Sequence, residues 1–204
     1  MHTNNNIIGA ALMTGCMFAY VINDAMMKIL FSEISLFQAL FLRSMITVPP
    51  VFFMAWFAKI SMRNLSNYDK RLMLFRVGAE VCATIAFLVA LRHMPLANVT
   101  AILQALPLAI TMAAALFLAE PVGWRRWIAI LIGFIGVLII VRPGVDGFNI
   151  YSLSAVAALI FITIREVFTR KLTGKVPTIS VALATVIGIG LFSGIMMIST
   201  EWHP

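Results

Sequence analysis

Residues 7–31 read IIGAALMTGCMFAYVINDAMMKILF, an apolar run that carries an acid, Asp24, and a base, Lys28, four positions apart. A helix needs about 20 apolar residues to cross the hydrocarbon core of a bilayer, so this run is long enough to span a membrane. An ionised side chain near the centre of a bilayer costs about 2.5–3.5 kcal/mol on insertion scales. The run therefore predicts a membrane helix whose charged side chains have protein partners or face a polar cavity.

The rest of the chain has the same apolar character. Of its 204 residues, 62% are hydrophobic and 11% are charged, with a mean hydropathy of +1.01, whereas soluble domains carry about 25% charged residues. These values predict an all-α integral membrane protein in the lipid bilayer, with about seven transmembrane helices at 7–31, 35–58, 72–91, 95–118, 124–141, 151–170 and 177–198. The pI of about 10 does not indicate a nucleic-acid partner, because the basic residues cluster in short loops.

The distribution of basic residues among the loops predicts the orientation. The second, fourth and sixth loops carry Lys59, Arg63, Lys70, Arg71, Arg125, Arg126, Arg170, Lys171 and Lys175. The opposite side has only Arg92 and Arg142 in its loops. By the positive-inside rule, the N-terminus is expected in the cytoplasm. The first helix is expected to remain as an anchor, because no Lys or Arg precedes it and no small-residue cleavage site follows.

The acid and base of the first run return 142 positions later. Glu166 and Arg170 stand in the sixth run as Asp24 and Lys28 stand in the first. The shift from the first copy to the second spans five helices, and because five is odd the second copy must cross the membrane in the opposite direction. The pattern predicts an inverted repeat, with a first five-helix repeat at 1–144 and an incomplete second repeat of two helices at 145–204. Three helices of the second repeat are then expected to be missing.

Polar side chains recur at helical spacing along four of the predicted helices. Residues three or four positions apart share one face of a helix. The stripes are Tyr20, Asp24 and Lys28; Arg43, Thr47 and Pro50; Arg76, Glu80 and Thr84; and Thr100, Gln104, Pro107 and Thr111. Asp24, Arg43 and Glu80 lie deepest, and together they would cost about 8–10 kcal/mol if they faced lipid. Several inward-facing stripes of this kind predict a polar cavity.

The candidate substrate-binding or coupling residues are Asp24, Arg43, Glu80 and Gln104, together with Asn23, Tyr20, Arg165 and Glu166. A second interpretation treats the charges as buried pairs that hold the bundle together, for example Arg76 with Glu80 at i, i+4. Pro49-Pro50 and Pro107 lie inside runs and predict either packing kinks or openings that expose backbone to a cavity. The glycine pairs at 133 and 136 and at 190 and 194 predict close helix packing.

The stretch 95–144 carries a recognisable pattern. Ala97-Asn98-Val99-Thr100-Ala101 leads through Pro107 to Phe117-Leu118-Ala119-Glu120, then to Trp124-Arg125-Arg126-Trp127, Gly133-Phe134-Ile135-Gly136-Val137 and Arg142-Pro143-Gly144. This pattern resembles the EamA-type carriers of the drug/metabolite transporter superfamily. Within that superfamily, Asn23-Asp24, Lys28, Phe41-Leu42-Arg43 and the Trp124–Trp127 stretch are similar to bacterial S-adenosylmethionine uptake carriers.

The resemblance implies ten helices in a five-plus-five inverted repeat, in the bacterial inner membrane, around a cavity lined by helices one to four and six to nine. It implies a secondary transporter that moves a small organic metabolite by alternating access, with Asp24 and Glu80 as candidates for proton or cation coupling. Because helices eight to ten are absent from this chain, a nonfunctional or truncated remnant that needs them or a partner chain is the second interpretation. A homo-oligomer is one form of such pairing.

Other classes of membrane protein fit the sequence poorly. A seven-helix receptor or photoprotein is disfavoured, because the seventh helix holds no Lys for a retinal Schiff base and the N-terminus is expected in the cytoplasm. An enzyme, a metal site and a cofactor are not expected, because the chain contains no H-E-x-x-H and no G-x-x-x-x-G-K-[ST] motif. The absence of the second motif also argues against ATP-driven transport.

Overall fold

The structure, a computed structural model, describes residues 2–31, 33–58, 65–141, 149–173 and 176–198, with side chains from residue 7 onward. Every regular element within these ranges is a helix. The helices are α1 (His2–Leu30), α2 (Leu36–Phe57), α3 (Asn67–His93), α4 (Leu96–Leu103), α5 (Leu106–Phe117), α6 (Trp124–Val141), α7 (Tyr151–Lys171) and α8 (Thr178–Ile198). They make seven spans that are long and apolar enough to cross a membrane, since α4 and α5 together form one span. The prediction of an all-α membrane protein is thereby confirmed.

The fourth span breaks at Gln104 and Ala105, between α4 and α5. Pro107 explains the break, because proline offers no backbone N–H to the carbonyl of Leu103 and its ring clashes with that carbonyl. The chain crosses the gap in a tighter turn, in which the Ala105 N–H donates to the Ile102 carbonyl over 3.2 Å. The helix is therefore interrupted beside this proline, while the packing kink and the opening to a cavity stay predictions.

The third helix begins five residues earlier than the sequence predicts. Ser66 caps its N-terminus, since the Ser66 hydroxyl accepts a hydrogen bond of 3.1 Å from the backbone N–H of Asp69. Lys70 and Arg71, which the sequence places in a loop, therefore lie in the first turns of α3. The sequence does not reveal this start, because a polar first turn carries no apolar periodicity, whereas the cap still starts the helix.

Both ends of α3 are held by hydrogen bonds from other parts of the chain, Thr173 just after α7 and Lys28 on α1. At its start, the buried carboxylate of Asp69 accepts hydrogen bonds from the backbone N–H and the hydroxyl of Thr173, over 3.2 and 3.0 Å. At its end, Lys28 Nζ donates to the carbonyl oxygens of Leu91 and Met94, over 2.7 and 2.6 Å. The last carbonyls of a helix have no intrahelical donors and carry partial negative charge, so a lysine there is stabilising.

The core forms where α3 packs along α7 and where α2 packs along α8, which are the most extensive helix contacts among the described residues. Small side chains allow the close approach of α3 and α7, since Ala90 and Ala155 are fully buried between them. Val99 and Ile102 of α4 are also fully buried and fill the space beside them. Close packing matters here because lipid tails are as apolar as leucine and supply no hydrophobic drive for helix association.

The glycines of α8 set its distance from two neighbouring helices. A Cβ atom at Gly190 would stand 3.2 Å from Cβ of Ser44, and one at Gly194 would stand 3.2 Å from the ring of Phe41. A Cβ atom at Gly188 would stand 2.3 Å from Cγ1 of Val77 on α3. The close packing predicted for the pair at 190 and 194 is thus confirmed, and Gly188 extends it to α3.

The first helix contributes little to this core. Every residue from 7 to 22 is exposed, and α1 packs mainly near its C-terminal end. There Met27 is 5% exposed and Phe31, just beyond the helix, is 6% exposed. Both pack with Leu36 and Leu40 of α2. Most of α1 therefore presents an open surface within the described chain.

Gly188→Leu is expected to destabilise the helix bundle, because the new side chain would overlap Val77 and push α8 from α3. Overpacking of this kind costs about 1–3 kcal/mol. A thermal unfolding curve of the purified protein in detergent measures the change, at roughly 2–4 °C per kcal/mol for a chain of this size. Gly136→Leu is the matched control, because nothing lies within 4 Å of a Cβ atom there. Equal losses in the two variants would contradict the packing role of Gly188.

Candidate functional site

The candidate site is built around an ion pair between α3 and α7. Both carboxylate oxygens of Glu80 accept hydrogen bonds from Nη1 of Arg165, over 3.0 and 2.8 Å. The side chains of Arg165 and Glu80 are only 26% and 17% exposed. The alternative pairing of Glu80 with Arg76 along α3 is therefore wrong as the main contact, because α7 packs on this face of α3 and brings Arg165 closer.

Arg76, one turn before Glu80, hydrogen-bonds to hydroxyl groups instead. Its Nε donates to Oγ1 of Thr169 over 2.9 Å, and its Nη1 donates to Oγ1 of Thr185 on α8. Glu166 on α7 attracts Arg76 electrostatically. We call Arg76, Glu80, Arg165 and Glu166 the charged layer. Its two cations and two anions balance, which allows four ionised groups to share the interior of a membrane bundle.

Polar cavities lie on the two sides of the charged layer. The first, which we call the central cavity, has a volume of about 140 Å³ and lies between α2, α3 and α8. Its polar lining comes from Arg43, Ser44, Thr47, Glu80 and Thr84. The second, the inner cavity, has a volume of about 310 Å³ and lies at the predicted cytoplasmic side, where Arg76 and Thr169 line it. Because Glu80 and Arg76 are one helical turn apart, the charged layer separates the two cavities.

A larger cavity of about 690 Å³, the α1–α2 cavity, lies between α1 and α2 and is open to the surface, since most of its lining side chains are exposed. Tyr20 and Asn23 line it from α1, and Arg43 and Thr47 line it from α2. Arg43 and Thr47 also line the central cavity, so the two cavities meet at these side chains. The meeting point puts one guanidinium group within reach of a ligand in either space.

Asp24 lies beside this meeting point and not in the lining of the α1–α2 cavity. Its Oδ1 accepts a hydrogen bond of 3.3 Å from Nδ2 of Asn23, and its carboxylate is attracted to Arg43 across the helix interface. Within the described ranges, no hydrogen-bond acceptor reaches the guanidinium of Arg43. Arg43 therefore has a nearby opposite charge but keeps its hydrogen-bond donors available.

The eight predicted site residues fall into two groups and one outlier. Those around the α1–α2 cavity are Tyr20, Asn23, Asp24 and Arg43, and those in the charged layer are Glu80, Arg165 and Glu166. Gln104 is exposed at the break between α4 and α5, away from both groups, because the helical spacing that linked it to Thr100 ends there. Roles in binding or coupling stay predictions for all eight.

The two basic residues of the repeated acid–base motif contact other parts of the fold. Lys28 binds the end of α3, and Nη1 of Arg170 donates to Oε1 of Glu120 over 3.1 Å. Sequence reasoning did not find Ser44, Thr169 or Thr185. The i, i+4 spacing of Thr169 from Arg165 in the sequence could have revealed Thr169. Thr185, in contrast, is brought to Arg76 only by helix packing. No cluster of three metal-ligating side chains occurs in the part of the chain that the structure describes.

In the part of the chain that the structure describes, seven apolar spans surround a charged layer and polar cavities, which define a multi-pass helical membrane protein with an internal polar site. Among such proteins, this chain belongs to the EamA-like transporter family, whose profile matches residues 7–142. The resemblance inferred from 95–144 is thereby confirmed.

Curated relatives of the chain are named as transporters. It is 39% identical to the riboflavin transporter of Vibrio cholerae, over 49% of this chain and 34% of that protein. It is 25% identical to the S-adenosylmethionine uptake transporter of Rickettsia prowazekii, over 84% of this chain and 58% of that protein. The chain thus spans about half the length of the curated relatives it matches. No solved structure matches the chain.

The ion pair of the charged layer is expected to show a large coupling energy. Removing one partner of a buried pair leaves an uncompensated charge, at a cost of about 3–5 kcal/mol. Glu80→Gln alone and Arg165→Gln alone are therefore each expected to lower the free energy of unfolding. Each single loss is expected to exceed half of the loss in the double variant. Unfolding by sodium dodecyl sulfate in mixed micelles, applied to a double-mutant cycle, measures this coupling.

The matched control is the exposed pair Arg170 and Glu120, whose side chains are 40% and 51% exposed. Its coupling is expected to stay below about 1 kcal/mol, as for surface ion pairs generally. Equal coupling in the two cycles would show that the pair between α3 and α7 does not lie in a low-dielectric site.

Proposed function

We propose that this chain is, or is part of, a secondary transporter that moves a small organic metabolite across the bacterial inner membrane. The observation that carries the proposal is Arg43, a guanidinium with available donors where the central cavity meets the open α1–α2 cavity, within membrane-spanning helices. Ionisable residues within membrane spans are expensive and mark substrate or ion pathways. Membership of a family whose curated relatives are named transporters supports the same function.

The proposed mechanism is alternating access. Substrate occupies the space that Arg43 lines, while the charged layer closes the path towards the inner cavity. Opening that path separates Glu80 from Arg165 and Arg76 from its threonines, so each freed group must find water or substrate as a new partner. Asp24 and Glu80 are the proposed coupling groups, because a carboxylate next to a cavity can bind a proton or a cation.

The proposed domain organisation is the inverted repeat, with 1–144 as the first repeat and 145–204 as the incomplete second. Two observations support it. The helices α2 and α8 begin at Leu36 and Thr178, which is the same 142-residue shift that relates Asp24 to Glu166. These two helices also pack along each other, as equivalent helices can when a two-fold axis in the membrane plane relates the halves.

A second candidate is a chain that transports only with further helices or a partner. The observation that favours it is the exposed surface of α1 at 7–22, whereas α7, the proposed equivalent of α1, packs along α3. By the proposed symmetry, α1 is expected to pack against the second-repeat equivalent of α3, as α7 packs against α3. That helix could come from additional polypeptide or, in a homo-oligomer, from another copy of the chain.

Two substrates follow from the names of the relatives, riboflavin and S-adenosylmethionine. Cells that express the chain are expected to accumulate one of these labelled compounds above vector controls. Asp24→Asn is expected to lower the uptake rate about tenfold or more while leaving the protein in the membrane, because the coupling carboxylate is lost. The measurement is initial uptake, normalised to the amount of protein in the membrane fraction.

Thr14→Val is the control for this uptake experiment, because Thr14 is exposed on α1 and its hydroxyl bonds only to the Ala10 carbonyl of the same helix. Unchanged uptake in the Asp24 variant would remove Asp24 from the mechanism. Uptake that appears only when a complete relative's C-terminal helices are added would favour the second candidate.

Fluorescent fusions test the proposed orientation, with a cytoplasmic N-terminus. Green fluorescent protein is expected to fluoresce at the N-terminus and to stay dark after Ile198, because seven spans put those points on opposite sides. Alkaline phosphatase should show the reverse activities at the same two points. Fluorescence after Ile198 with a dark N-terminal fusion would contradict the orientation.

A further inference from the structure

The α1–α2 cavity has walls suited to a flat ring system. Its volume of about 690 Å³ falls within the range of about 300–1,000 Å³ that is usual for ligand pockets. Tyr20, Met26 and Met27 line it from α1, and Leu42 and Ile46 line it from α2. An aromatic ring, two thioethers and branched aliphatic chains offer broad dispersion contacts to a planar, polarisable molecule.

The polar side chains that line this cavity differ in whether their hydrogen-bond donors are already used within the protein. The hydroxyl of Thr47 donates to the Arg43 carbonyl over 2.9 Å, and the amide of Asn23 donates to Asp24. The strongest donors left for a ligand are those of the Arg43 guanidinium. Its donors form a rigid planar fork, which matches two neighbouring acceptors held in one plane, such as a carbonyl oxygen and the adjacent nitrogen of a heteroaromatic ring.

The charge around the cavity disfavours a cationic ligand. No carboxylate lines the α1–α2 cavity among the residues that the structure describes. Asp24 lies beside the lining and offsets the charge of Arg43, while Glu80 lines the central cavity and is held by both oxygens to Arg165. A cation in the α1–α2 cavity would therefore meet a guanidinium with no carboxylate to bind it.

We propose that the α1–α2 cavity binds a planar, uncharged heteroaromatic compound, in which an edge carbonyl oxygen and the adjacent ring nitrogen accept hydrogen bonds from Arg43 and the rings lie against Tyr20 and Met26. The same arrangement excludes organic cations such as sulfonium compounds. This inference rests on the proposed transport function, since it names the substrate class of that site.

Ligand binding to the purified chain in lipid nanodiscs tests the inference. Riboflavin is the neutral planar probe, and its fluorescence is expected to be quenched on binding against Tyr20. A hundredfold excess of S-adenosylmethionine, the sulfonium probe, is expected not to displace it. Arg43→Gln should weaken riboflavin binding by about tenfold or more, since a charged hydrogen bond is lost.

A second variant closes the cavity without removing a charge. Ala19 lines the cavity from the exposed part of α1, so Ala19→Trp fills the space while the core stays intact. It is expected to weaken riboflavin binding at least as strongly. The matched controls are Val21→Trp, which lies outside the lining on the same helix, and Arg92→Gln, an exposed arginine near the end of α3. Both controls are expected to bind riboflavin like the unmodified chain.

Three results would overturn the inference: no riboflavin binding by the unmodified chain, displacement by S-adenosylmethionine, or unchanged binding in both cavity variants. The proposed function fails separately. Riboflavin binding that depends on Arg43, in a protein that moves no substrate into cells or vesicles, supports the site and refutes transport. Uptake of another compound without riboflavin binding refutes the site and leaves transport standing.

Discussion

The ion pair between Glu80 and Arg165 is the contact on which the arrangement of the bundle depends. Hydrocarbon cannot hydrate a charge, so each ionised side chain in a span must find its partner within the protein. Glu80 on α3 pairs with Arg165 on α7, and these two helices make the most extensive helix contact among the described residues. Arg76 then reaches α8 through Thr185. One layer of charge thus fixes three helices relative to one another.

The polar cavities follow from the same constraint combined with glycine-mediated packing. Gly188 and Gly190 bring α8 close to α3 and α2, so the space left between these helices is small and is bordered by hydroxyl and charged groups. Larger apolar side chains in place of the hydroxyl-bearing residues would fill that space. Arg43 stands at its edge, and the looser contact of α1 with α2 leaves a second, larger space on the other side of Arg43. A tight pocket and a wide one therefore share a single guanidinium.

Local patterns in the sequence predicted the spans but not the partners of their charges. Each span must satisfy its own backbone hydrogen bonds in lipid, so length and apolar character were sufficient to find it. Helical spacing assigned Glu80 to Arg76, whereas the closer partner, Arg165, comes from another helix. It also linked Gln104 to Thr100 across a turn that Pro107 interrupts. Contacts between helices depend on which faces pack together, and no single stretch of sequence specifies that.

The attachment of α1 has a mechanical consequence. Its firm contacts, the bonds of Lys28 to the end of α3 and the packing of Met27, lie near one end of the helix, while 7–22 is exposed. The helix is therefore held near Lys28, and its N-terminal part can tilt about that point. At about 1.5 Å per residue, the arm from Lys28 back to Cys16 is about 18 Å long, so a tilt of about 10° displaces its far end by about 3 Å. A small tilt of α1 about Lys28 thus changes the width of the α1–α2 cavity by several ångströms at its far end.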